Sequence, residues 1–326
     1  MRLPACLRPR SALRSAHVGA FIGCAVLAAL AFGMTTASAQ TPARRVPPGV
    51  GVMIHYLPDK AQIDDINQID VEALADALVE MKAGYLVLTL GQNNGQFIAP
   101  NPTLASMCPE AARNASPRDL PLELGRALRR RAIALILYLP FRAPQADPYL
   151  MACLGDVSEQ SPPPATFIAN WSRVIGDWSA HYGALASGWW FDGTYNTDGM
   201  TPGDWRTLCS AINRGASGRL VAFNPGEGDA RYSMPAAPCQ NWMAGELMAM
   251  PTAFRPVDST LRFHVLTPIT ASWSRPGTAR FSAPQLASLI ATAKARGGSI
   301  TLDMPLDSRY AFFKDHVALV RKASGQ

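Results

Sequence analysis

Histidine is scarce in this chain, with five in 326 residues. The four beyond position 39 (His55, His181, His264 and His316) include no close pair, which argues against a metal-hydrolase barrel with a histidine-rich ligand set. No Cys-x-x-Cys spacing occurs, so neither a zinc site nor a dithiol redox site has support. No cofactor and no metal are expected. The first strand candidate is not followed by Gly-x-Gly-x-x-Gly, which weighs against a dinucleotide-binding open sheet. Basic residues cluster only at Arg129 to Arg131, at the end of a predicted surface helix, so no nucleic-acid partner is expected. Sequence repeats are absent, and no shift in composition marks a linker between domains.

The first 39 residues read as an export signal. Arg2, Arg8, Arg10 and Arg14 stand without an acidic residue, an apolar run spans Val18 to Phe32, and Ala37-Ser38-Ala39 forms an A-x-A cleavage site. The apolar run is too short for a comfortable membrane span, so no stable membrane insertion is expected after cleavage. Loss of this segment lowers the formal charge from +6 to about +2, with 26 basic against 24 acidic residues. A secreted or periplasmic chain of about 287 residues should remain. It would comprise a proline-containing leader over 40–49 and a single domain over 50–326. Four cysteines stay in that oxidising setting. Cys108 and Cys153 are expected to pair, because both fall in loops on the same face. For Cys209 and Cys239 a second disulfide and two free buried thiols both remain open.

Strand and helix signals alternate along the rest of the chain. Val50–Tyr56, Tyr85–Leu90, Ile133–Leu139, Gly188–Asp192, Leu220–Phe223, Trp242–Glu246, Phe263–Thr267 and Ser299–Met304 are apolar runs of strand length bounded by turn residues. Between them Asp70, Asp119, Thr201 or Asp204, and Ser282 precede amphipathic stretches as N-caps. Eight strands with helices in most gaps predict an α/β fold, a (β/α)8 TIM-like barrel.

Chemistry in such barrels collects where the strands end. Those positions hold His55, Tyr56, Gln92, Asn93, Tyr138, Asp192, Asn224, Glu227, Glu246 and Asp303, with Trp189, Trp190, Trp242 and Trp273 nearby. Carboxylates, amides and one imidazole among tryptophans suit a carbohydrate: amides and imidazole orient hydroxyls, indoles stack on sugar faces, and two carboxyl groups cleave the bond. Trp242 and Trp273 are the expected stacking faces, whereas Trp190 is expected in the core. His181 and His316 should lie on helix surfaces.

The ordered motifs resemble the α-L-fucosidases of glycoside hydrolase family 29. Gly51-Val52-Met53-Ile54-His55-Tyr56 resembles a first-strand segment whose histidine contacts the sugar. Ala83-Gly84-Tyr85-Leu86-Val87-Leu88-Thr89 is similar to the second strand, and Trp190-Phe191-Asp192-Gly193 to the segment carrying the nucleophile. Ser272-Trp273 and Gly297–Leu302 resemble later landmarks. Two segments depart from the family pattern. Gln92-Asn93-Asn94-Gly95-Gln96-Phe97 stands where His-His-Asp-Gly-Phe is usual, and Asn224-Pro225-Gly226 where Asn-x-Arg is common. The resemblance implies a retaining enzyme acting on terminal sugars, with Asp192 as nucleophile and Glu246 as acid/base; Glu227 is the rival acid. His55, Tyr56, Gln92, Asn93, Tyr138, Trp242 and Trp273 would bind the substrate. A carbohydrate-binding barrel without catalysis is the alternative.

Overall fold

The computed structural model describes residues 40–58, 62–156, 162–195, 197–228, 230–251, 253–254 and 257–325. The export signal expected over 1–39 lies outside them. Seven strands form one all-parallel sheet: β1 (Gly49–Ile54), β2 (Tyr85–Thr89), β3 (Ala134–Pro140), β4 (Ala186–Asp192), β5 (Leu220–Phe223), β6 (His264–Pro268) and β7 (Ser299–Asp303). Their spatial order is β5-β4-β3-β2-β1-β7-β6. Nearly every strand residue is buried, as expected for a parallel sheet covered on both faces.

The expected eight-stranded barrel is therefore corrected to a curled, seven-stranded half-barrel. The segment expected as a further strand, Trp242–Glu246, makes only isolated bridges, from Trp242 to Arg262 and from Glu246 to Leu266. Trp242 N–H also reaches back to the Val221 carbonyl of β5 (3.2 Å). The segment thus lies against both sheet edges without forming a ladder to either. Gly245 gives the physical reason. Its φ is +66°, and a Cβ there would lie 2.2 Å from the His264 carbonyl oxygen. Only glycine tolerates that backbone, and it interrupts the extended conformation one residue before Glu246.

Helices fill most crossovers: α1 (Val71–Glu80), α2 (Pro102–Met107), α3 (Pro109–Ala112), α4 (Leu120–Arg130), α5 (Pro148–Leu154), α6 (Ala165–Tyr182), α7 (Pro202–Ile212), α8 (Ala283–Ala295) and α9 (Lys314–Ser324). The expected caps are in place. Asp70 accepts from the Glu72 and Ala73 N–H groups, and Asp119 from Leu122. Thr201 and Asp204, read as alternatives, act together as a capping box, as do Ser282 and Gln285. Such a cap contributes about 1 kcal/mol. No helix among the described residues is long and apolar enough to cross a membrane.

The sheet separates two cores. Side chains facing the concave interior include Tyr85, Tyr138, Trp190, Trp242 and Leu266, while those on the other face pack against the helices. Cys108 is bonded to Cys153, as expected, and Cys209 to Cys239, which settles the open alternative in favour of a second disulfide. His181 is exposed and paired with Asp119 (2.7 Å). His316 is not on the surface as expected: it is buried and donates from Nε2 to the Gly277 carbonyl (2.9 Å). The α9 face that carries it, with Val317 and Val320, is the one turned inward.

Candidate active site

Asp192 is the last residue of β4, and β-strand alternation puts its side chain on the same face as Trp190, one layer higher. Trp190 is buried and stacks on Tyr138, ring centroids 5.1 Å apart, so it floors the site rather than lining it. Three donors hold the Asp192 carboxylate. Tyr138 donates to Oδ2 (2.5 Å), while Asn224 Nδ2 (2.7 Å) and the Gly193 N–H (2.9 Å) both reach Oδ1. Burial, then the Asp192 charge, push the Tyr138 phenol well above its ordinary range, so it remains a donor.

The Asn224 amide has a second partner. The same Nδ2 donates to Glu246 Oε2 at 2.6 Å. One nitrogen therefore bridges both acids, and their facing oxygens lie no farther apart than the sum of two hydrogen bonds. Glu246 is half-buried, and its pKa is raised from 4.5 to about 7. Burial is the larger cause and the Asp192 charge the second; the Asn224 bond opposes both. Near neutral pH one of the two acids is thus poised to carry a proton beside the other.

Glu227, the rival acid, is solvent-exposed and accepts from the Trp273 indole N–H (3.3 Å). It steadies that half-buried ring at the rim. Asp303 is buried at the end of β7, where it accepts from the Ser274 N–H (2.6 Å), and the His55 backbone also bonds to it. Burial raises its pKa to about 7.

His55 follows β1, and burial lowers its pKa to about 4, against the pull of Asp192. The ring is neutral at ordinary pH and offers one donor and one acceptor. Both ring nitrogens are buried and have no hydrogen-bond partner among the described residues. His55 lines a cavity of about 440 Å³ together with Tyr56, Trp273, Arg275 and Tyr310. It also packs against Tyr138, centroids 5.4 Å apart. Tyr56 meets Tyr310 edge-on at 5.9 Å. This cavity therefore adjoins the two acids on the β1 and β7 side.

Other expected ligand-binding residues have different surroundings. Trp242 is 1% exposed, wedged between Tyr85 and His264 in the concave core, and presents no open face. The Gln92 side chain donates to the Tyr138 hydroxyl and accepts from the Asn93 N–H. Both its ends are engaged, so it orients the phenol that holds Asp192. Tyr138 is likewise committed to that carboxylate. Asn93 is exposed beside a cleft of about 20 Å³ that Gln92, Arg142 and Asp192 also line.

Sequence reasoning overlooked Tyr195. It is 53% exposed, stands against Gly193 and Gly226, and its phenol is raised by burial and by the charges of Asp192 and Glu246. Gly226 has φ +117°, and a Cβ there would approach the Tyr195 ring to 3.1 Å. The Pro-Gly pair after Asn224 was the available signal, since such a turn leaves room for a neighbouring ring.

No protein-family model and no curated protein sequence matches the chain. Solved structures do share its fold. The endo-fucoidan hydrolase MfFcnA4 of glycoside hydrolase family 107 superposes with a TM-score of 0.66 at 15% identity, over 86% of this chain and 52% of that one. The chain thus spans about half the length of that relative. The endo-fucoidan hydrolase P5AFcnA, of the same family, gives 0.64 at 14% identity over 86% and 90%. The α-L-fucosidase AlfC from Lactobacillus casei, in complex with α-L-fucose, gives 0.56 at 14% identity over 85% and 94%. The chain shares its fold with these endo-fucoidan hydrolases and this α-L-fucosidase.

Proposed function

We propose that this chain is an exported retaining glycoside hydrolase, α-L-fucosidase-like, that releases a terminal sugar from a glycan or glycoconjugate. Asp192 attacks the anomeric carbon and forms a glycosyl ester, while Glu246 gives its proton to the departing oxygen. Glu246, now ionised, takes a proton from water, which attacks the same carbon and frees both the sugar and Asp192. Retaining enzymes hold their two carboxyl groups about 5–5.5 Å apart. The observation that carries the reading is the Asn224 amide, which bonds Asp192 and Glu246 at once and so keeps them within that span. The raised pKa of Glu246 suits an acid that must be protonated before the first step.

His55 and Trp273 are the proposed sugar contacts, since both line the cavity of about 440 Å³ and the indole is half-buried at its rim. The two disulfides suit an oxidising compartment outside the cytoplasm. The test is hydrolysis of 4-nitrophenyl α-L-fucopyranoside within a panel of aryl glycosides, with the anomer of the first product read by NMR. Retention, and loss of turnover with retained sugar binding in Asp192→Asn, is expected. Inversion would remove the ester intermediate. Sugar binding without turnover of any glycoside would leave a carbohydrate-binding barrel.

A further inference from the structure

Asp192 has different surroundings on its two sides. Towards β1 and β7 is the cavity of about 440 Å³ that His55 and Trp273 line. Towards β2 and β3 is the narrow cleft of about 20 Å³, walled by Asn93 after β2, Gln145 after β3, Asp192 itself and Tyr195. Both open at the carboxyl ends of the strands, where chemistry in such folds collects.

Tyr195 is the informative residue, because it is a large ring left 53% exposed beside the two acids. Its seat is the backbone of two residues without side chains. A Cβ at Gly193 would lie 3.4 Å from the ring's Cε2, and one at Gly226 3.1 Å from its Cε1. Opposite edges of the ring are therefore held, while much of its surface faces solvent. Burial and the charges of Asp192 and Glu246 raise its phenol, so the ring stays neutral next to both carboxyl groups.

The cleft adds polar groups that are open to a ligand. Asn93 is exposed and Gln145 half-buried, and neither side-chain amide bonds to another group among the described residues. Their loops are joined, since the Ala146 N–H donates to the Asn93 carbonyl (3.0 Å). An exposed ring beside two free amides suits a sugar: the ring takes an apolar face, and the amides exchange hydrogen bonds with hydroxyls. The cleft has room for about one water, so a saccharide lies across its mouth, over Tyr195.

We infer that Tyr195, with Asn93 and Gln145, forms the subsite for the leaving-group saccharide, the unit on the far side of the bond that is cut. This rests on the glycosidase reading and deepens it. The terminal sugar occupies the cavity lined by His55 and Trp273. The next unit must lie outside that cavity yet beside both acids, and Tyr195 is the exposed ring at that place. A glycan is therefore held on both sides of its scissile bond.

Binding to the full chain carrying Asp192→Asn, measured by titration calorimetry, tests the assignment. The probes are methyl α-L-fucoside and a panel of α-linked fucose disaccharides, and the readout is the ratio of their dissociation constants. At least one disaccharide is expected to bind more tightly than the monosaccharide. Adding Tyr195→Ala, at an exposed position whose loss leaves the core intact, should cut that advantage about tenfold. Tyr195→Phe, which keeps the ring, should preserve it. Asn93→Ala combined with Gln145→Ala should cut it about threefold or more. If no disaccharide outbinds the monosaccharide, or the advantage survives loss of the ring or of both amides, or Tyr195→Phe destroys it, the subsite assignment is wrong although the glycosidase reading stands. Absence of binding by every probe would remove both.

Discussion

Replacing Asp192 by Asn should lower the pKa of Glu246 by about one pH unit without restoring it to an ordinary value. The magnitude follows from the site. Raising a glutamate from 4.5 to about 7 corresponds to roughly 3 kcal/mol, at about 1.4 kcal/mol per pH unit. Two unit charges held within the reach of one bridging amide would interact by about 3 kcal/mol at an effective dielectric constant near 20. Burial is the larger cause of the rise, however, and the Asp192 charge only the second. The charge is therefore less than half of what raises the carboxyl, and its removal is expected to lower the midpoint by about 1–1.5 kcal/mol, or about one pH unit. Titration of ¹³C-labelled glutamate carboxyls by NMR, with Glu246→Gln as the assignment control, reads the midpoint in both proteins. An unchanged midpoint would mean that the two carboxyl groups do not face each other. A fall all the way to 4.5 would mean that burial is not the main cause, and the partition argued above would be wrong.

Further expectations concern the surroundings. Tyr138→Phe deletes the O–H that holds Asp192 Oδ2, so kcat should drop about 10- to 100-fold while KM changes little, as for a donor that serves the reacting group. Asp303 should withdraw stability as pH rises from about 4 to 7, because the folded residue, raised to about 7, stays protonated there while the unfolded chain ionises, and above 7 the loss is complete. His55 and His264, lowered by burial, act in the opposite direction over the same range. Urea midpoints of the native protein and of Asp303→Asn check it: the native protein should lose stability relative to the variant as pH rises. Reduction of the disulfides, which close separations of 45 and 30 residues, should cost about 3–4 kcal/mol each. A thermal melt in the presence of reductant that matched the oxidised one would contradict this.

Strand identity was legible because parallel strands covered on both faces leave continuous apolar runs. All seven strands fall on runs read from the sequence, and helix starts were legible from Asp70, Asp119, Thr201 and Ser282. The eighth strand was misread because Trp242–Glu246 has the same composition. Its interruption depends on the backbone of Gly245 against His264, a contact between segments that composition does not encode. Asp192 and Glu246 were picked out together from strand ends and apolar context, and the structure brings them to one amide. The partners of Gln92, Tyr138 and Trp242 could not be picked out in that way, since an amide or a ring at a strand end serves a ligand or a neighbour equally well.

Local chemistry by itself determined which segments would be strands, where helices begin, that four cysteines remain beyond position 39, and which side chains crowd the strand ends. Those properties depend on residues within a few positions of one another. Tertiary structure alone decided that the sheet stays open at seven strands, that Asn224 joins two acids 54 positions apart in the chain, and that Trp242 is packing. Each depends on distances between remote segments. Burial and charge coupling, which set the protonation of Glu246, exist only once those segments have met.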